Sequence, residues 1–298
     1  MNRTTKLASL VLAALTAASG AAAAEVALTT TVYTASPTGF LVNSTLIQGE
    51  KEAILIDAQF SLADAHRLVA VIMESKKTLT TVYITHSHPD HYFGLNVIKQ
   101  AFPKVKVVTL ATSLGEIKKT WKGSVKQWGS MYGALVPTKP MLPAVQKAMT
   151  LTLEGATIEI RGTVQGDSSD NTYVWIPSTK TVITGDIVFA GVHPWTRETN
   201  PEKRKAWIKT LDDITALAPT TVIAGHKDPK AKDDLSAVKA TKDYLIAFET
   251  AVSGSKSASE VETKMKAKYK DLQLDVILKL GAETQFAAPA APATAPKK

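Results

Sequence analysis

The chain has 298 residues, a formal charge of +8 and no cysteine. That length suits one large domain or two small ones, and the missing cysteines exclude disulfides, thiolate metal sites and a lipoprotein anchor. No arginine-rich run or stacking-aromatic motif accompanies the positive charge, so it reads as a solvated basic face and a nucleic-acid partner is not expected.

Residues 1–24 read as a signal peptide. Arg3 and Lys6 form its charged start, residues 7–18 its apolar core, and Ala22-Ala23-Ala24 its cleavage site. The apolar core is shorter than the roughly 20 residues of a membrane span, so no span is expected after cleavage. A bacterial periplasmic or secreted location follows.

Residues 26–47 alternate and are rich in Thr and Val, which predicts two strands joined near Pro37-Thr38-Gly39. After a turn at Gln48-Gly49-Glu50-Lys51, the run Ala53-Ile54-Leu55-Ile56 predicts a buried strand ending on Asp57. Residues 62–75 carry Leu62, Leu68, Val69, Ile72 and Met73 at helical spacing, and His66 on that helix reads as a surface or packing residue. Thr81-Val82-Tyr83-Ile84 predicts a further buried strand, residues 92–100 a helix and residues 105–110 a strand. Strand character is lost over 111–150, which holds Trp121, Trp128, Met131, Tyr132 and Pro137. That stretch predicts a helical insertion, either a lid over the mouth of a site or a plain packing element. Strands return at 149–153, 157–164, 172–176 and 181–183. Helices are predicted over 201–217, 229–251, 259–268 and 271–280, with a short strand at Val222-Ile223. A single domain then spans 25–286, and the Ala/Pro-rich tail 287–298 reads as disordered.

The chemistry concentrates after the strand at 81–84. His86-Ser87-His88-Pro89-Asp90-His91 holds half of the chain's six histidines together with an aspartate. Ligands at a strand end lie on a loop held by rigid structure, and imidazole with carboxylate suits zinc, iron or manganese. On an extended segment His86 and His88 can reach one metal through different ring nitrogens, while Asp90 and His91 turn toward a second.

His86-x-His88-x-Asp90-His91 resembles the HxHxDH signature of the metallo-β-lactamase-fold hydrolases, and further landmarks carry the resemblance over roughly residues 26–250. The resemblance implies an α/β (α+β) fold, a four-layer αβ/βα sandwich. It also implies a small-molecule substrate and two divalent metal ions, zinc with iron or manganese as alternatives. An aspartate at the place of Asp57 often braces the metal loop in that family; a helix N-cap is the other reading. The family's third ligand to the first metal is usually a histidine in a Gly-His-Thr-x-Asp-Asn-like loop, but here the stretch reads Gly166-Asp167-Ser168-Ser169-Asp170-Asn171. Asp167 is therefore the candidate third ligand beside His86 and His88, with Asp170 as its substitute. An added oxygen donor tilts the preference toward iron or manganese.

Asp186, after Gly185, matches the family's bridging carboxylate, and His226 matches the last histidine of the second site, with Asp90 and His91. His193 lies near the mouth, where it orients substrate, donates a proton, replaces the missing third histidine or merely braces a loop. The resemblance implies attack by a metal-bridging hydroxide, oriented by Asp90, on an ester, lactone, thioester or amide. True β-lactamases of the fold typically carry cysteine or serine at the Asp186 position, so a lactonase- or esterase-like hydrolase is favoured and a β-lactamase is the runner-up. A non-hydrolytic mononuclear iron enzyme and a binding protein on the same fold remain as readings from other classes.

Overall fold

Buried side chains fall into three slabs that alternate with the period of the strands. The computed structural model describes residues 26–287, so the expected signal peptide and all but the first residue of the tail lie outside the described residues. Strands β1 (Thr29–Thr34), β2 (Asn43–Gln48), β3 (Glu52–Ile56), β4 (Thr78–Ile84), β5 (Lys106–Thr109) and β6 (Ala144–Val145) form one sheet in that order. Its first three strands are antiparallel and the rest parallel. The second sheet uses β7 (Thr150–Leu153), β8 (Ala156–Val164), β9 (Asn171–Ile176), β10 (Thr181–Ile183) and β12 (Thr221–Ile223), in the order β12-β10-β9-β8-β7. β11 (Phe189–Ala190), between β10 and β12 in sequence, pairs in parallel with β13 (His226–Lys227), which follows β12.

Successive side chains of a strand point to opposite faces. Accordingly Ile54 and Ile56 of β3 join Ile47, Tyr83, Ile158, Val174, Ile183 and Ile223 in the slab between the sheets. Their neighbours Ala53 and Leu55 face the other way, against Leu68 and Ile72 of α1 (Leu62–Glu74), Leu95 and Ile98 of α3 (Leu95–Ala101) and Ile117 of α4 (Ala111–Tyr132). On the far side, Trp175, Val182 and Val222 pack on Trp207, Leu211 and Ile214 of α5 (Pro201–Ala216) and on Val238 and Leu245 of α6 (Leu235–Ser253). The result is helix, sheet, sheet, helix: the four-layer α/β sandwich. Trp207 is fully buried, so truncating it to Ala is expected to destabilise by about 3–5 kcal/mol.

α7 (Ala258–Lys268) and α8 (Asp275–Phe286) pack on α6 through Tyr244, Phe248, Val261, Met265 and Leu278. Arg204 of α5 is buried where these elements meet; it donates to Glu249 Oε2 (2.7 Å), Thr199 Oγ1 (3.0 Å) and Gln285 Oε1 (3.0 Å). It therefore ties α5, α6, α8 and the loop before α5 together.

Several boundaries differ from the sequence reading for local reasons. A short helix α2 begins at Pro89 (Pro89–Tyr92), because proline is preorganised for a first helical position. The helix expected from 229 starts only at Leu235, where the Asp234 side chain accepts from the Ser236 N–H as an N-cap. The helix expected from 271 starts at Asp275, since Leu274 adopts a left-handed conformation with φ 66°. Within 111–150, helix takes only 111–132, and its inner residues join the first helical layer. Among the described residues no helix is long and apolar enough to cross a membrane.

Candidate metal centre

β3 and β4 run side by side and parallel, so their C-terminal ends lie together. Asp57 follows β3 in a left-handed conformation (φ 62°), which short polar side chains tolerate better than most. Its Oδ1 accepts from the Thr85 N–H (2.9 Å), and its Oδ2 accepts from Thr85 Oγ1 (2.9 Å) and lies 2.8 Å from His91 Nδ1. The N-cap of α1 is Ser61, which accepts from the Asp64 N–H. Asp57 thus contacts the histidine loop at both ends and caps no helix.

Two loops of the second sheet meet this one. Asp167 lies between β8 and β9; Asn171 Nδ2 donates to its Oδ1 (2.9 Å), and its own N–H donates to the Asp186 carbonyl (3.1 Å). Asp186 follows β10 behind Gly185, whose φ of 49° and close approach to the Thr85 side chain both demand glycine. Gly225, after β12, is packed so tightly that a Cβ there would run into the Asp186 carboxylate and the Gly185 carbonyl.

The seven expected ligands converge in two groups that share Asp186. His86, His88, Asp167 and Asp186 offer donor atoms all within 4.8 Å of one another, and so do Asp90, His91, Asp186 and His226. Asp186 divides its oxygens: Oδ1 lies 3.1 Å from His91 Nε2, while Oδ2 lies 3.1 Å from His226 Nε2 and 3.9 Å from His86 Nε2. Asp90 Oδ2 lies 3.2 Å from His226 Nε2, and Asp167 Oδ2 lies 2.8 Å from His88 Nδ1.

These residues fit a pair of cations. His86 Nε2, His91 Nε2, Asp167 Oδ2 and Asp186 Oδ1 are buried without a hydrogen-bond partner among the described residues, as is His88 Nε2. Buried polar atoms are seldom left unpaired, and lone pairs aimed at a common point are what a metal requires. The outward nitrogens of three histidines, in contrast, each hydrogen-bond an oxygen: Thr85 Oγ1 for His86 (3.0 Å), Asp57 for His91 (2.8 Å) and the Phe40 carbonyl for His226 (2.6 Å); His88 Nε2 lies 3.2 Å from Glu198 Oε1 without forming such a bond. Such outer partners orient ligating imidazoles.

Charge tells the same story. Burial pushes the Asp167 carboxyl up to about 7, with the Asp186 carboxylate adding to the effect and His88 opposing it. Burial and the neighbouring His91 push His86 well below the usual imidazole range. For His226 burial acts downward, but the Asp186 and Asp90 carboxylates outweigh it and lift the ring to about 10. Cations entering here displace protons from acids and imidazolium alike, so their uptake strengthens as pH rises.

A cavity of about 370 Å³ opens over the cluster, enough for a small molecule. Its floor includes His88, Asp90, Asp186 and His226, and Phe40, Phe60, Trp128, Leu274 and Ile277 give it an apolar wall. Trp128 of α4 meets Phe40 and Phe60 edge-on, each at 5.4 Å, and Thr120, Ser124 and Gln127 of the same helix line the opening.

Two candidates stand apart from the donor groups. Asp170 turns its Oδ1 to Ser168 Oγ (2.7 Å) and Ser87 Oγ (3.2 Å) and keeps Oδ2 buried without a hydrogen-bond partner among the described residues, but it is in neither donor group, whereas Asp167 is in the first. His193 belongs to neither group; its Nδ1 meets the Tyr244 hydroxyl (2.9 Å) and its Nε2 lies 3.6 Å from Asp275, which excludes it as a replacement ligand. It does line the cavity. Sequence reasoning missed Glu198, Thr85 and the Phe40 carbonyl. Thr85, adjacent to His86, was within reach; the other two come from segments whose approach no local pattern announces.

Residues 37–226 match the family model described as the metallo-beta-lactamase superfamily, and the chain belongs to that superfamily. Among solved structures it is similar to a metallo-beta-lactamase family protein from Thermus thermophilus, at 18% identity and TM-score 0.61, covering 84% of this chain and 91% of that one. It also resembles the metallo-beta-lactamase from Pontibacter korlensis, at 19% identity and TM-score 0.51, over 75% of this chain and 96% of that one. These likenesses bear on the fold. A curated relative, the uncharacterized protein YobT of Bacillus subtilis (strain 168), is 34% identical over 73 residues, a stretch that spans 24% of this chain and 30% of that protein. Superfamily membership and the two donor groups define a metal-dependent hydrolase in general terms.

Proposed function

We propose that the protein is a dinuclear metallohydrolase that cleaves an ester, lactone or amide-type bond in a small molecule. The carrying observation is Asp186, the one residue common to both donor groups, whose Oδ2 stands between His226 Nε2 (3.1 Å) of one and His86 Nε2 (3.9 Å) of the other. His86, His88 and Asp167 would hold one divalent ion and Asp90, His91 and His226 the other; zinc is favoured, with iron or manganese as alternatives. Two such ions supply Lewis-acid polarisation of a carbonyl and a water whose pKa falls from about 15.7 toward about 7. Asp90 lies at the floor of the cavity, where its carboxylate orients the attacking water and relays a proton to the leaving group. His193, whose Nε2 has no hydrogen-bond partner among the described residues, is suited to orienting the substrate or protonating the leaving group. The aromatic wall from Phe40, Phe60 and Trp128 suits an apolar portion of the substrate. The signal-peptide pattern of residues 1–24 supports export to a bacterial periplasm or beyond.

The test joins metal content by mass spectrometry on the mature protein to turnover of a panel of aryl esters, lactones and β-lactams. About two ions per chain with ester or lactone turnover is the expected result. Preferential β-lactam turnover would move the assignment to a β-lactamase. One ion or none, with no hydrolysis, would overturn the dinuclear mechanism and point to iron chemistry or binding.

A further inference from the structure

We propose that Glu198 is a positioning residue for the first donor group, holding the His88 ring so that Nδ1 faces the metal; this rests on the metal-centre reading above. His88 differs from its three companions. The outward nitrogens of His86, His91 and His226 meet Thr85, Asp57 and the Phe40 carbonyl, all of them buried residues. His88 Nε2 instead is buried without a hydrogen bond among the described residues, and the carboxylate beside it, Glu198 Oε1 at 3.2 Å, belongs to a side chain that is 50% exposed. Asp167 Oδ2 stands 2.8 Å from the other ring nitrogen, so the imidazole lies between two carboxylates, one toward the ligand cluster and one outside it.

The loop that carries Glu198 is fixed from several directions. Thr196 and Thr199 are buried, and Thr199 Oγ1 donates to the Thr196 carbonyl (2.7 Å) while accepting from Arg204. The Glu198 carboxylate accepts from Trp195 Nε1 (3.4 Å), and its carbonyl accepts from Lys203 Nζ (2.9 Å). A carboxylate held there attracts the Nε2 proton of a neutral imidazole, and a proton on Nε2 leaves the Nδ1 lone pair free for a metal. Residue 167 supplies oxygen rather than imidazole, so His86 and His88 are the only nitrogen donors of their group and the tautomer of His88 decides half of them.

The experiment uses the mature protein titrated with cobalt(II), for the wild type and for Glu198→Ala, Glu198→Gln and Glu198→Asp. Bound ions are counted and the visible ligand-field spectrum is followed alongside the thermal midpoint. Glu198→Ala is expected to weaken one of the two cobalt ions about 10- to 100-fold and to change its absorption bands, leaving the other ion and the midpoint unchanged. Gln and Asp, which still offer an oxygen to Nε2, should recover part of the loss. Wild-type cobalt affinities and spectrum in Glu198→Ala would overturn this proposal alone, as would an equal loss of both ions with a lowered midpoint, which marks a loop-holding role. A wild-type protein that takes up no cobalt would overturn the metal centre itself, and the role of Glu198 with it.

Discussion

The two donor groups share Asp186 yet are built differently. The second has its histidines braced from inside, Asp57 backing His91 and the Phe40 carbonyl backing His226, both braces buried, while its Asp90 opens to the cavity as His88 does. The first combines a deep half, His86 and Asp167, with an outer half, His88, whose side chain is 14% exposed and whose partner Glu198 stands at the mouth. Low-dielectric surroundings strengthen and fix polar contacts, whereas a half-exposed carboxylate is screened by water. The second group is thereby the preorganised one and the first the adjustable one. Charge sharpens the contrast, because the first group carries an aspartate where an imidazole is usual and so offers a harder donor set.

Substitutions can break that contrast or sharpen it. Asp186→Ala removes the shared carboxylate and should act on both groups, lowering bound metal from about two ions to one or fewer and kcat/KM on the order of 10³-fold. Metal analysis beside steady-state kinetics reads both. Asp57→Ala should fall hardest on the second group, which it touches directly through His91, costing about 10- to 100-fold in metal affinity there, and less on the first, which it reaches only through Thr85 and His86, measured by competition with a chromogenic chelator. If the first group loses its ion instead, the two groups are not braced independently. Asp167→His should change preference rather than count, raising zinc over manganese in a mixed-metal loading experiment read by mass spectrometry.

His193 gives the smallest effect on metal, since it lies outside both groups, but it has its own pH signature. Burial lowers its pKa from 6.5 to about 4, with Lys266 acting in the same direction and Asp275 against it. Between those values the unfolded chain takes up a proton that the folded chain refuses. Stability is therefore unaffected above pH 6.5, falls as pH drops from 6.5 toward 4, and loses at most about 3 kcal/mol from this group. His193→Gln should flatten that part of the denaturation-against-pH curve while leaving metal content as in the wild type.

Strands and ligands were legible for related reasons. Runs such as Ala53–Ile56 and Thr81–Ile84 are apolar because both faces of their sheet are covered, one by helices and one by the other sheet. The ligands stand where those strands end, so the same pattern that marks a strand marks the position of the loop. His193 and Asp170 show where spacing stops informing. Both stand close in sequence to members of the donor groups and both line the cavity, and only their side-chain partners, Tyr244 for one and Ser87 with Ser168 for the other, set them apart from those groups. Asp57 was legible as a brace, but Glu198 was not, because its approach to His88 depends on a loop held by Arg204 between α5, α6 and α8, which no local pattern encodes. Helix starts failed more simply. Pro229 suggested a start that the chain delays to Asp234, the residue able to cap.

Gly225 sets a limit on redesign. Its α-carbon fills the space beside the Asp186 carboxylate so closely that a single methyl group and the shared ligand would compete for one volume. A mutational library aimed at changing substrate range meets an ordinary packing cost at Phe40 and Phe60, which belong to the core, but every non-glycine choice at 225 presses on the carboxylate that both donor groups share. One of the narrowest tolerances among the described residues thus falls on a residue that carries no chemistry of its own.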